Sequence, residues 1–508
     1  MKEQRAKAMT QFHAPLYKAL VDRLEAGPTS FHVPGHKNGT QAADAPYERF
    51  RDLMSLDVTE LSDTDDLHHP EGVIREAQQL AAACFGADDT MFLTGGSTAG
   101  ILAMVLAVCR PGDTIIVQRN VHKSVLHGLM LAGAYAVFVT PLTDWATGLA
   151  TIPASHDVEE AIRRYPHARA VMLGTPNYYG MCNDLSEYAG ITHRAGIPLL
   201  VDQAHGAHLG LHPKFPLSAL QYGADAVVHS THKTLPALTM GAMLHVKGDR
   251  VSVKALRHAL EMIQSSSPSY PIMASLDIAR AMVTAEGAHL FEKGVLASIR
   301  FREQMRDLED LYTLLQETDD SQAFDRLDPL RIVLYDRTDT LSGFQLLTLL
   351  SERGCWAEMA DERYVVLIFG IRTSGQDADK LYRALKDIAD QAGLTKRVSG
   401  AADRYRLGSG PSITNSFDKI ERIGKPFLPG RTLTDENQTV SVPLRDSLNR
   451  IAAEPVIPYP PGIPLLHVGE EITQAAIESI RSLSAKGARF QNASNAVMDY
   501  VKVMKSDK

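Results

Sequence analysis

Between about residues 75 and 245 the chain alternates short apolar runs with segments of helix length, and this alternation constrains the fold more than anything else in the sequence. The apolar runs fall at 90–93, 114–117, 136–139, 170–173, 198–201, 226–228 and 242–246. Helix-length stretches lie between most of them, at 97–109, 122–132, 158–165 and 186–195. Strands that are apolar throughout need cover on both faces, so the pattern predicts an α/β fold with a mostly parallel seven-stranded sheet and helices on either side. Ligands of such sheets sit beyond the carboxyl ends of the strands, so the residues just after each strand are read first.

The flanks are different in character. A short amphipathic helix is expected at about 15–25, followed by the loop FHVPGHKNG at 31–39. A long helical region is expected at 275–318. Mixed α/β structure then follows over 330–395, with strands near 331–335 and 364–369 and a helix near 378–392. The stretch 396–455 is polar and irregular, and PYPPGIPLLHVGEEIT at 458–473 is too dense in proline for a helix before a terminal helix begins.

Charge and cysteine usage narrow the function classes. A formal charge of −8 gives no reason to expect nucleic acid or an acidic membrane as a partner. The four cysteines, Cys84, Cys109, Cys182 and Cys355, are spread widely and lack CxxC spacing, which favours a reducing cytoplasm and no metal site. The first twenty residues lack the apolar run of a signal peptide, and the most apolar run, 101–108, is too short to span a bilayer. A cytoplasmic protein acting on a small molecule is the expectation.

Four strand ends carry candidate chemistry. LTGGSTAGI at 93–101 joins a strand to an apolar helix through Gly96, Ser97 and Thr98, so backbone N–H groups, two hydroxyls and a helix dipole face one point. That is an anion cradle, or simply a capped helix start. In RNVHKS at 119–124, His122 reads as a ring that lies flat on an aromatic ligand, or as a structural histidine. Asp202 ends the strand IPLLV and reads as a partner for a protonated pyridine nitrogen, or as a helix cap. Lys233 in HSTHKT follows the strand ADAVV; desolvation would free its amine to form an imine, whereas alone it reads as a surface lysine. Taken together, in chain order, these are the phosphate cradle, ring stack, pyridinium partner and amine of a pyridoxal 5'-phosphate (PLP) pocket.

The same residues resemble the Orn/Lys/Arg decarboxylase major-domain family, which belongs to the aspartate-aminotransferase-like, fold-type I PLP enzymes. The matching motifs are PLYKAL, FHVPGHKNG, LDVTEL, DDLHHPEG, GGSTAG, PGDTIIVQRNVHKS, VDQAHGAHL, STHKTLPALTMGAMLH, SSSPSYPIMASLDIAR and, near the end, PYPPGIPLLHVGE. They resemble most the short bacterial branch, which lacks an N-terminal wing domain. The resemblance implies an N-terminal arm and active-site loop (1–55), a PLP-binding, transferase-like large domain (56–300), a small α/β domain (301–395) and a C-terminal decarboxylase domain (396–508). It implies that Lys233 carries PLP, that Ser97, Thr98 and Ser230 hold the phosphate, and that His122 stacks on the ring. Asp202 would pair with the ring nitrogen, His205 would sit beside the cofactor, and His232 would give a proton to the substrate carbon. Two positions depart from the family: Gln203 stands where an acid is common, and TPNYYG at 175–180 leaves Thr175 or Asn177 to meet the phenolic oxygen.

The activity implied is loss of carbon dioxide from lysine or arginine, or less readily from ornithine, in a homodimer or higher homo-oligomer with shared active sites. A cationic substrate side chain calls for carboxylates at the pocket mouth, where Asp63, Asp65, Asp66, Glu71 and Glu470 are candidates; each also reads as a solvated acid. His36 and Tyr270 are further substrate-contact candidates. Arg372 in LIFGIRTSG reads as a surface charge or, in an aminotransferase, as a carboxylate clamp. A PLP-fold protein that regulates or binds a partner is the non-enzymatic alternative.

Overall fold

The computed structural model describes residues 12–42, 48–317, 321–395, 420–422, 438–459, 464–485, 488–491 and 498–505. Most of the polar stretch 396–455, and 460–463 of the proline-rich run, lie outside them. All seven expected strands form: β1 (Asp89–Leu93), β2 (Thr114–Gln118), β3 (Tyr135–Val139), β4 (Val171–Gly174), β5 (Leu199–Asp202), β6 (Ala226–His229) and β7 (Ala242–Val246). They are buried along almost their whole length, as apolar strands between helices must be.

The chain forms two compact units. The first comprises Met1–Val108 and Pro198–Leu290. In it β1 and β6 each pair antiparallel with β7, while β5 runs parallel to β6. Leu93 faces Ala242, His229 faces Met243 and Asp202 faces Val228, so β1, β5 and β6 end level at one edge. This register brings the segments after Leu93, Asp202 and His229 to the same place.

Helix Gly96–Val108 is apolar on every side and packs against strands and the helix Val253–Ile263. Gly100 makes the close approach possible: a Cβ there would lie 2.7 Å from Val228 Cγ2 and 2.8 Å from Leu93 Cδ1. Gly100→Ala should therefore cost about 1–3 kcal/mol by overpacking, more than the helix propensity it gains. The check is a lowered denaturation midpoint, and an unchanged or raised midpoint would contradict the packing argument. Helix Pro15–Ala26 is fastened through Asp277, whose Oδ2 accepts from the Leu16 and Tyr17 amides at 2.9 and 3.4 Å and which pairs with buried Arg280.

The second unit comprises Cys109–Ile197 and Phe291–Lys508. Here β2 lies between β3 and β4, all parallel, and Ile420–Arg422 adds an antiparallel strand to β3. Strands Tyr312–Leu314, Arg331–Asp336, Met359–Ala360 and Val365–Ile368 form an antiparallel sheet. Helix Glu292–Gln304 reaches it through Arg302, which donates to Arg331 O at 3.0 Å, and helix Gly375–Gln391, with a Ser374–Asp377 capping box, through Leu385 O, which accepts from the Tyr312 hydroxyl at 3.0 Å. The C-terminal part has its own apolar cluster around Ile472, Ile477, Ile480 and Val501.

Two expectations need correction. The helical region ends by Leu308, and Tyr312–Leu314 is a strand, because pairing with Leu334–Asp336 outweighs local propensity. The chain also continues past helix Gln474–Ala485 into strand Tyr500–Met504, where buried Val501 and Val503 flank exposed Lys502 in the two-residue period of a strand.

Candidate active site

The first unit gathers most of the candidate residues. At the end of β6, Ser230 leads into the single-turn helix Thr231–Thr234, which carries His232 and Lys233. Lys233 Nζ lies 2.9 Å from Nε2 of His205, a buried ring from the loop after β5. Thr231 is fully buried, and its hydroxyl has no hydrogen-bond partner among the described residues. Asp202 accepts from the Ala204 amide at 3.1 Å. Burial pushes its carboxyl above the usual carboxylate range, and the charge of Lys233 opposes that shift.

The third strand end closes the group. Ser230 Oγ donates to Ser97 Oγ at 2.6 Å, joining the β6 end to the β1 turn. Gly96 adopts φ +71°, a left-handed conformation that suits glycine, and starts the helix. Buried Gln264, outside the sequence motifs, accepts from the Thr94 amide at 2.8 Å and steadies the turn. Half-buried and exposed hydroxyls at Ser97 and Thr98 thus stand in the first helical turn with backbone N–H groups. An amine, a buried carboxylate whose ionisation the Lys233 charge favours and an anion cradle are what PLP requires, so the residues fit that group.

Other candidates have defined local roles. His122 is the N-cap of helix Lys123–Ala132, and its Nδ1 accepts from the Ser124 amide at 3.3 Å. Asn177 braces its own turn, accepting from the Tyr179 and Met181 amides and donating to Ala150 O, each at 3.0 Å. Thr175 Oγ1 accepts from the Asn183 amide at 3.3 Å. His36 Nε2 is 3.2 Å from Asp57 Oδ2. Buried Tyr270 donates its hydroxyl to Asp65 O at 2.5 Å.

The carboxylate candidates divide sharply. Asp63 forms a forked pair with Arg23, at 2.7 and 3.0 Å. Asp65 accepts from the amides of Glu71, Gly72, Ile74 and Arg75 and so caps the helix Val73–Phe85. Partial burial works to raise its pKa, but these amides hold the carboxyl below its ordinary range. Asp66 is half-buried and accepts from the His68 amide at 2.8 Å, while Glu71 is exposed. Glu470 is 2% exposed and makes a forked ion pair with Arg119 in the second unit. Arg372 is exposed.

Arg119, His467, His229 and His245 are not singled out by the sequence motifs. Arg119 lies inside the motif that holds His122. The two strand histidines are polar interruptions of apolar strands, a signal that could have found them.

This fold and the residues gathered at its strand ends fit a PLP-dependent α/β enzyme. Residues 14–365 match the Orn/Lys/Arg decarboxylase major domain, and residues 431–492 match the C-terminal domain of the same enzymes. The chain belongs to the Orn/Lys/Arg decarboxylase family and is a PLP-dependent decarboxylase of basic amino acids. It is 39% identical over 483 residues to the uncharacterized protein YaaO of Bacillus subtilis, covering 94% of this chain and 96% of that one. It is 33% identical over 509 residues to an arginine decarboxylase of Bacillus anthracis, covering 98% and 99%. The crystal structure of the Francisella novicida lysine decarboxylase LdcF shares the fold, with a TM-score of 0.80 at 20% identity over 97% of this chain and 81% of that one.

Proposed function

We propose that this chain decarboxylates arginine, with Lys233 as the residue that holds PLP covalently. The observation that carries the site assignment is the level ending of three strands, which sets Lys233, Asp202 and the Ser97–Ser230 hydroxyl pair at one edge. The end-to-end similarity to an arginine decarboxylase supports the choice of substrate. Gly96, Ser97, Thr98 and Ser230 would hold the phosphate by amide and hydroxyl donors, and Asp202 would serve the ring nitrogen. By the family resemblance His122 would serve the ring, and His205 braces the lysine amine. When bound, PLP supplies the electron sink that receives the bonding pair left by the departing carboxylate.

The chain's own work is orientation and proton delivery. Lys233 would hold the cofactor until substrate binds, and His232 or Lys233 would carry the proton for the substrate Cα. His36, Asp66 and Tyr270 belong to the pocket mouth in this reading, and Glu470 serves the second unit through Arg119. Among the described residues no helix is long and apolar enough to cross a membrane, and all four cysteines are free. We place the protein in the cytoplasm as a homodimer or higher homo-oligomer with shared active sites.

The test is incubation of the PLP-loaded protein with arginine, lysine or ornithine, with the product amine identified by mass and carbon dioxide measured. Agmatine should form with a kcat/KM at least about tenfold above that for cadaverine or putrescine. Cadaverine or putrescine as the preferred product would overturn the arginine assignment, and a keto acid would overturn decarboxylation itself.

A further inference from the structure

Four buried polar side chains in the first unit form one continuous chain of hydrogen bonds. Gln203 Oε1 lies 3.0 Å from His229 Nε2, His229 Nδ1 lies 3.1 Å from His245 Nε2, and His245 Nδ1 lies 2.8 Å from Thr90 Oγ1. All four residues are at most 1% exposed. They come from β1, β7, β6 and the residue just after β5. The backbone register explains the path: Thr90 faces His245 across the β1–β7 pair, and the Gln203 amide bonds Val228 O beside His229.

The direction of the first bond follows from one backbone group, and the directions of the other two follow from the neutrality of the buried rings. Gln203 Oε1 also accepts from the Ala219 amide at 3.2 Å, and an amide N–H can only donate, so the side-chain oxygen must face this way. His229 must then donate from Nε2. If the ring is neutral, its Nδ1 accepts, so His245 donates from Nε2 and accepts at Nδ1 from the Thr90 hydroxyl. Burial supports neutrality: it pushes His229 down to about 3, with His208 adding to the shift, and pushes His245 well below its ordinary range, with His229 adding to it. Phe85 packs against both rings, at 5.6 and 5.0 Å between centroids.

We propose that Thr90, His245, His229 and Gln203 are positioning residues: a neutral, one-directional ladder that locks together the strand ends bearing Asp202 and Lys233. Gln203 immediately follows Asp202, and His229 immediately precedes Ser230. A shift at either rung therefore moves a cofactor-holding residue. The amide of Gln203 accepts from both His229 and Ala219 without drawing a proton onto His229, so no additional charge competes with Lys233 for Asp202.

The positioning role rests on the assignment of Lys233 and Asp202 above, whereas the proton arrangement does not, so the two are tested apart. A neutron crystal structure of the PLP-loaded protein at pH 7 should show deuterium on Nε2 and none on Nδ1 of both His229 and His245. Deuterium on either Nδ1 would overturn the ladder. Thr90→Val removes the terminal donor at almost constant volume, far along the chain from Lys233. It should lower kcat about tenfold while KM stays within about twofold, and Thr90→Ser should restore kcat. Equal kcat for Thr90→Val, Thr90→Ser and the parent would overturn the positioning role, as would a loss of equal size in both variants.

Discussion

Lys233→Ala should lower decarboxylation by roughly 10³-fold or more and abolish the long-wavelength absorbance of lysine-held PLP. The structure gives two reasons for so large an effect. The first is place: Lys233 sits on a single helical turn at the end of β6, with Nζ 2.9 Å from His205 Nε2. The second is charge. Burial already pushes Asp202 toward protonation, and Lys233 opposes it, so deletion weakens the carboxylate meant to face the ring nitrogen. Lys233→Arg separates these roles. It keeps a positive charge, but a guanidinium stays protonated and is no nucleophile, so this variant should be as inactive as the alanine one. Borohydride reduction of the parent protein should leave the mass of reduced PLP on the tryptic peptide bearing Lys233. Retained activity and absorbance in Lys233→Ala, or the label on a different lysine, would refute the assignment.

The sequence was most legible where local pattern and global fold agree. The apolar runs match strands β1 to β7 to within a residue or two, because uniformly apolar runs flanked by turn signals have few other readings. The grouping of Ser97, Asp202, Ser230 and Lys233 followed from the rule that sites form beyond strand carboxyl ends, and the register of β1, β5 and β6 places these segments at one edge. What stayed illegible depended on partners distant in sequence. Asp65 looks like a free acid in TDDLHHPEG, yet amides up to ten residues away occupy it. Glu470 likewise reads as a solvated carboxylate, and nothing local announces a partner 351 residues away. Strand Tyr312–Leu314 depends on pairing with Leu334–Asp336, which no window around residue 312 contains.

Glu470→Ala should destabilise the C-terminal part of the second unit by about 3–5 kcal/mol, because it strands a buried guanidinium. Arg119 and Glu470 expose 7% and 1% of their side chains, and Glu470 Oε2 also accepts from the His467 amide at 2.8 Å. Burial would raise the Glu470 carboxyl, but the His467 and Arg119 contacts hold it below its ordinary range. The His467 ring stacks on Phe138 at 4.4 Å and 8°, and Lys123 Nζ donates to Gln491 Oε1 at 2.8 Å. The C-terminal segment therefore grips the strand-end loop on both sides of His122, at Arg119 and at Lys123. A chain of this size need not unfold in one step, so local amide hydrogen exchange is the suitable measurement. In Glu470→Ala, protection should fall both in 464–485 and at the start of helix Lys123–Ala132. The double variant Arg119→Met with Glu470→Met removes both charges and keeps the volume apolar, so most of that protection should return. Single and double variants that exchange alike would mean the buried charge is not what the loss of Glu470 exposes. A single variant that changes protection by less than about 1 kcal/mol would place this pair with ordinary surface ion pairs.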